Sequence, residues 1–325
     1  MATHLPDSTT VSATDATYLD ATASSIINAL TIDLEDDFHL QAFKKQLERS
    51  QWDEWELRIR GNTRRLLKIL ARKEVRATFF VQGWIAERCP RLVEEIHTAG
   101  HEIGSHGYWN HLVYGQIPSH FRQEAALAKK TLEEITGTPV LAFRAPHFSI
   151  NDNCLWAIQI LAEEGYEIDS SILPIYRNRY GIPGALHEIH RIETISRPVW
   201  EVPPTICRVH GWDVPVGDGG YFRIHPLWKT LRSLRQINMA DLRPFIFHIR
   251  PWEIDPEAPQ APGISTSSHL RYRLHLHKTS PLFERLLSEF RFAPLGEIID
   301  HITDNQTEVP NVPLDLTCWC SKPKK

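Results

Sequence analysis

From residue 26 onward the chain alternates short apolar runs with stretches whose apolar residues recur at helical spacing. The run Asn28-Ala-Leu-Thr-Ile-Asp-Leu-Glu-Asp-Asp-Phe38 reads as a strand that ends abruptly in Asp33, Glu35, Asp36 and Asp37. Side chains alternate along a strand, so Asp33 and Glu35 share one face, and Asp36 falls where strand gives way to loop. Trp52, Trp55, Ile59, Leu66, Leu67 and Leu70 predict one or two helices interrupted near Gly61-Asn62. Ala77–Val81 is the second strand. Pro90 opens a helix carrying Leu92, Val93 and Ile96, Gly100 closes it, and His101–His106 is the third strand. Pro118 starts a helix with Phe121, Ala125, Ala128, Leu132 and Ile135 that ends at Gly137, before the strand Val140–Phe143. Asn151, Asp152 and Asn153 are N-cap candidates for a helix through Leu155, Ile158 and Leu161 that stops at Gly165. A fifth strand follows over Tyr166–Ile172, and others near Val199–Val202 and Pro244–Ile249.

Such alternation suits right-handed βαβ crossovers and a parallel sheet buried on both faces, an α/β fold in which a closed or nearly closed barrel is favoured. No Gly-x-Gly-x-x-Gly follows a strand, which counts against a dinucleotide-binding fold.

Composition narrows the function. The 325 residues, 42% hydrophobic and 23% charged, are of ordinary globular make-up. A formal net charge of -4 gives no footprint for nucleic acid, and no apolar run is long enough to span a bilayer. Cys89, Cys154, Cys207, Cys318 and Cys320 are odd in number and scattered, so reduced thiols are expected. Residues 1–25 lack a basic and then apolar leader pattern and read as a disordered leader on a cytoplasmic protein.

Polar residues gather where the predicted strands end, as active-site residues do in α/β barrels. Asp33, Glu35 and Asp36 end the first strand, and His106, Asn110 and His111 the third. Arg144-Ala-Pro146-His147 end the fourth, Asp169-Ser-Ser171 the fifth, and His248-Ile-Arg250 a late one. In this order and spacing, Thr31-Ile-Asp-Leu-Glu-Asp36, Ser105-His-Gly-Tyr108, Arg144-Ala-Pro146 and Asp169-Ser-Ser171 resemble the motif series of the NodB-homology polysaccharide deacetylases, carbohydrate esterase family 4. Gly219-Gly-Tyr-Phe-Arg223, Pro251-Trp-Glu-Ile-Asp255 and Arg271-Tyr-Arg-Leu-His-Leu-His277 resemble the branch associated with exopolysaccharide loci and exosortase sorting.

The resemblance spans residues 26–294, with 295–325 left as a tail. It implies a distorted (β/α)7-type barrel that removes N-acetyl groups from an amino-sugar polysaccharide or its lipid-linked precursor, with Zn²⁺ or Co²⁺ as cofactor. Carried over by position, Asp33 is the general base and Arg144 orients it. His106, a second imidazole and one carboxylate, Glu35 or Asp36, hold the metal, and a late histidine, set by Asp169, protonates the leaving amine. The chain departs from the pattern twice. Asn110 stands where the family has its second histidine, with His111 one residue on, and Arg250 stands where the late histidine belongs, with His248 two residues earlier and on the same strand face. An Asn oxygen is a weak zinc ligand, and Arg250 offers a cation for an oxyanion rather than a proton.

Tyr108, Trp109, Tyr221 and Trp252 are candidate sugar platforms, and Pro146, His147 and Arg250 further substrate contacts. His269, His275 and His277 sit among Arg271, Arg273 and Lys278, which reads as a solvated basic face. Two other readings stand beside the deacetylase: a catalytically degenerate barrel that binds glycan or partners, and a metal-independent amidohydrolase. Substrate would be met at the inner membrane face, by peripheral association. Oligomeric state is not legible.

Overall fold

A computed structural model describes residues 26–39, 49–175, 180–209, 212–258 and 273–314. The expected leader, Cys318 and Cys320, His269 and Arg271 lie outside them.

The central strand is β1, Ile27–Leu34, buried along nearly its whole length. Seven of its eight residues are buried because it has parallel neighbours on both sides, β2 (Thr78–Val81) and β10 (Ile246–Ile249). From β2 the sheet continues through β3 (Glu102–Ser105), β4 (Ala142–Phe143), β5 (Ile168–Asp169) and β7 (Val199–Glu201), every pair parallel. Helices α1 (Ile59–Arg72), α2 (Gly83–Arg88), α3 (Pro90–Thr98), α4 (Pro118–Thr136) and α5 (Trp156–Glu163) fill the crossovers. Gly137 closes α4 at φ 70°, a left-handed conformation that suits glycine. The N-cap expectation for α5 fails. That helix begins at Trp156, and Asn151 instead turns the chain by accepting from the Asn153 amide at 3.0 Å.

Between β7 and β10 the wall is completed by irregular chain. Gly217 donates to the Thr205 carbonyl, His248 donates to the Gly217 carbonyl at 2.8 Å, and Thr205 Oγ1 accepts from the Ile246 amide. After this segment come α6 (Gly219–Ile224) and α7 (Leu227–Met239). Inside the barrel Ala29, Phe80, Ala142, Ile168, Val202 and Ile246 form a cluster, and β3 contributes Gly104, where an added Cβ would lie 2.7 Å from the Phe80 ring.

Residues 295–314, expected as part of a tail, belong to the fold. Helix α8 (Leu276–Glu289) leads to β11 (Arg291–Ala293), which pairs with β1, and then to α9 (Leu295–Asp304), whose Leu295, Ile298 and Ile299 join the interior cluster. β12 (Asn311–Pro313) pairs with β6 (His190–Glu193), and β6 runs antiparallel to β7, so the sheet is not wholly parallel. A short hairpin of β8 (Cys207–Val209) and β9 (Trp212–Val214) stands apart.

Candidate active site

Sheet register assembles the site. Leu34 pairs with Val81, Val81 with Ser105, Ser105 with Phe143, and Phe143 with Asp169. The residues one step beyond, Glu35, Gln82, His106, Arg144 and Ser170, therefore form a ring at the strand ends. On the other side Ile32 pairs with Ile249, which brings Arg250 level with Asp33.

Arg144 is fully buried and uses its guanidinium as a brace. Nη1 donates to Asp33 Oδ1 and to Thr31 Oγ1, both at 2.8 Å, Nε to the Ser170 carbonyl and Nη2 to Ser170 Oγ. Its plane lies 4.3 Å over the Phe80 ring. Arg250 reaches Asp33 from the other side and Glu35 as well, with Nε donating to Glu35 Oε2 at 3.2 Å and Nη2 3.6 Å from Asp33 Oδ2. Burial alone would raise the pKa of Asp33, but Arg144, His106, Arg250 and His248 outweigh it and hold the carboxyl down at about 2. Glu35 is driven further below the carboxylate range, against burial, by His106, His147 and Arg250. Arg250 shifts upward, its burial outweighed by Asp33, Glu35, Glu253 and Asp218.

His106 donates Nδ1–H to the Arg144 carbonyl at 2.8 Å, which leaves Nε2 facing Glu35 Oε1 at 3.3 Å. His147 adopts φ 56° in the turn after β4, a left-handed conformation that costs about 1–2 kcal/mol for a non-glycine residue. Burial, with help from Arg250 and His106, pulls its pKa to about 4, so the ring is neutral at pH 7, and Nε2 has no hydrogen-bond partner. His39, unnoticed in the sequence, is also neutral. Its Nδ1 accepts from the Asp36 amide, and its ring is boxed by Phe38, Trp52 and Trp84. The signal available for it was its place in the turn just after the acidic run.

Several expected site residues are committed elsewhere. The Asp36 carboxylate anchors the start of α1, accepting from the Ile59 amide at 3.0 Å, with the Asp37 amide on its other oxygen. Burial and the adjacent Asp37 raise its pKa to about 7. His111 Nδ1 contacts Glu124 of α4. Asn110 donates its amide to the His39 carbonyl at 2.8 Å, and its Oδ1 is buried without a partner. Asp169 does not set the late histidine. It is hydrogen-bonded to Ser171 and faces Glu201, and burial raises both acids so that they share a proton. His248 faces Asp218 instead, with Nε2 3.0 Å from Oδ2, edge-on to Phe148.

Two of the expected sugar platforms are core. Tyr108 packs under Gly83, where an added Cβ would lie 2.4 Å from the ring, and Trp252 is buried with Leu276 beneath the Arg223 guanidinium. Pro146 is buried at the start of a short turn, and Tyr221 stacks on His225. In the expected basic face His277 and Lys278 are exposed, but His275 is partly buried, with Nδ1 donating to the Arg223 carbonyl.

The polysaccharide deacetylase family profile matches residues 50–168, which contain His106, Asn110, Arg144 and His147. Over that stretch, less than half of its length, the chain is similar to the polysaccharide deacetylases. That match is followed, over residues 170–300, by one to a domain described as of unknown function, DUF3473. A peptidoglycan-N-acetylglucosamine deacetylase of Bacillus cereus is 36% identical over 107 residues, 32% of this chain and 47% of its own length. The chain spans about half the length of the curated relatives it matches. Among solved structures, a Mycobacterium smegmatis protein named as a polysaccharide deacetylase superposes with a TM-score of 0.60 at 19% identity, over 93% of this chain and 96% of its own. PuuE allantoinase also gives 0.60, at 16% identity over 88% and 93%. Both share the fold.

Several side chains that the family motif would give to a divalent ion have other partners in this chain. Glu35 and Asp33 already face guanidinium groups, Asp36 serves a helix, and His111 is turned to Glu124. Among the described residues no three His, Cys, Asp or Glu side chains are arranged to hold a metal. Arg250 takes up the negative charge that a cation would otherwise neutralise.

Proposed function

We propose that the domain hydrolyses the acetamide C–N bond of an N-acetylated amino-sugar polymer, without a resident metal. The observation that carries this reading is Asp33, held ionised between Arg144 and Arg250 beside the neutral His147. Water attacks the acetyl carbonyl carbon and gives its proton to Asp33. Arg250 stabilises the oxyanion that forms, a task suited to a fixed buried donor. As the C–N bond breaks, the proton moves to the leaving nitrogen, with His147 Nε2 able to carry it, and acetate and a free amine result.

The resemblance of Gly219–Arg223 and Pro251–Asp255 to the exosortase-associated branch supports an exopolysaccharide, or its lipid-linked precursor at the inner membrane face, as substrate. No described helix is long and apolar enough to cross a membrane.

A second reading, glycan binding without turnover, is favoured by the same pair of guanidiniums. A carboxyl with a pKa of about 2 is a weak base. Acetate release from N-acetylglucosamine oligosaccharides separates the two. Hydrolysis predicts acetate formation that survives chelator, falls roughly 10³-fold in Asp33→Asn and about 10²-fold in Arg250→Ala. Binding to these sugars with no acetate above the Asp33→Asn background would establish the second reading.

A further inference from the structure

Helix α7 (Leu227–Met239) buries Thr230, Leu231, Leu234, Ile237 and Asn238. At 3.6 residues per turn, Trp228, Arg232, Arg235 and Met239 fall on one stripe of the opposite, outward face. Trp228 is 63% exposed and Met239 40%, and the chain just outside the helix adds Ile224 at 38% and Leu242 at 53%. Four of the eight large hydrophobic side chains exposed among the described residues therefore lie within residues 224–242. Core packing does not account for them, because the helix already buries its other face, and a concentration of exposed apolar side chains marks a contact surface.

The same stretch is cationic. Residues 219–240 hold four Lys or Arg and no Asp or Glu, in a chain whose formal net charge is -4. Arg223 is buried against Glu253, and Arg235 pairs with Glu289 of α8. Lys229 and Arg232 have no carboxylate partner among the described residues, and the Lys229 ammonium lies 5.5 Å from the centre of the Trp228 ring. Apolar side chains at both ends of a helix, with cations between them, match the headgroup layer of an anionic bilayer. Trp settles at the boundary of acyl chain and headgroup, and Lys and Arg meet the phosphates.

We propose that the outward face of α7 docks the protein on an anionic lipid surface. A second copy of this chain fits the face poorly, since a two-fold contact would set Lys229 and Arg232 against their own counterparts. The helix also has a defined direction relative to the site. Just before it, Gly219 of α6 packs against Glu253, whose carboxylate accepts from the Arg250 amide at 2.9 Å. Near its other end, Asn238 exchanges side-chain hydrogen bonds with Asn28 at the start of β1. Helix α7 therefore runs from the site's end of the barrel wall to the far end, with Trp228 nearer the site. Docking there would present the site to a substrate held at the membrane, but does not depend on hydrolysis.

Co-sedimentation of the full chain with vesicles tests this, using phosphatidylcholine alone and phosphatidylcholine mixed with phosphatidylglycerol. The chain should bind the mixed vesicles roughly tenfold more tightly or better, and added salt should weaken that binding. Trp228→Ala and Arg232→Glu change exposed side chains, so both should keep the parent's melting temperature while losing roughly five- to tenfold in affinity for the mixed vesicles. Arg91→Glu makes the same charge change at an exposed position of α3 and should bind as the parent does. Equal binding to both vesicle types, no binding, Trp228→Ala binding as the parent, or equal losses in Arg232→Glu and Arg91→Glu would overturn the docking face. So would a dimer in lipid-free sedimentation velocity that Trp228→Ala dissolves, since the face would then belong to a second copy. None of these readouts involves acetate release, so failure of the hydrolysis and failure of the docking are seen separately.

Discussion

At the scale of single residues, the acidic run after β1 divides by environment rather than by sequence. Asp33 and Glu35 point into a ring of cations, whereas Asp36 is turned to the start of α1. Their folded pKa values move in opposite directions, so their effects on stability fall in different pH windows. Asp36 is raised to about 7, so its contribution is present in full below about pH 4 and is lost as pH rises through 7. Asn keeps an acceptor for the Ile59 amide and cannot ionise. Thermal melts should therefore show Asp36→Asn equal to the parent near pH 4 and more stable by roughly 3 kcal/mol at pH 8. A variant less stable than the parent at pH 8 would mean that the ionised carboxylate has a role other than holding α1. Asp33, lowered to about 2, contributes stability above pH 4 that disappears as pH falls toward 2. Removing its brace with Arg144→Ala leaves a buried carboxylate short of a partner and should cost about 3–5 kcal/mol in denaturant unfolding. Any hydrolysis should have a flat rate from pH 6 to 9, because Asp33 stays ionised and His147 neutral across that range, with an acid limb near pH 4.

At the scale of elements, what was legible followed length and periodicity. The five-strand alternation through Asp169 and the helices that begin at Pro90 and Pro118 carry enough apolar positions to declare themselves. Edge strands such as β6, His-Arg-Ile-Glu, and β12, Asn-Val-Pro, carry too few apolar residues to stand out. The plug helix α9 reads as amphipathic only once the barrel interior gives Ile298 and Ile299 a partner. The irregular wall between β7 and β10 has no sequence signal beyond Gly217. An added Cβ there would lie 2.2 Å from the Ile246 carbonyl oxygen, so Gly217→Ala must push β10 away from its neighbour. That substitution should destabilise by about 1–3 kcal/mol and loosen His248 and Arg250 together, seen as faster amide exchange along β10 than in the parent. Unchanged exchange would show that the wall yields without moving the strand.

At the scale of the whole molecule, polar side chains from the ends of β1, β3, β4 and β10 meet at one end of the sheet. Asp33, Glu35, His106 and Arg144 lie close together because sheet register aligns the ends of β1, β3 and β4, with β2 between β1 and β3. What sequence could not give was the distribution of partners. Whether His111 swings inward depends on Glu124 of α4, and whether the carboxylates await a cation depends on how far Arg250 reaches across the barrel mouth. The fold is that of the polysaccharide deacetylases, while the charge balance at its centre is closed by two arginines. Zinc stoichiometry by elemental analysis, on protein stripped with chelator, offered excess zinc and desalted, tests that balance most directly. The site described here predicts less than about one-tenth of a zinc per chain, since among the described residues no three donors are arranged to hold an ion. One zinc per chain, lost on His106→Ala, would contradict it and return Glu35 and His106 to the role of ligands.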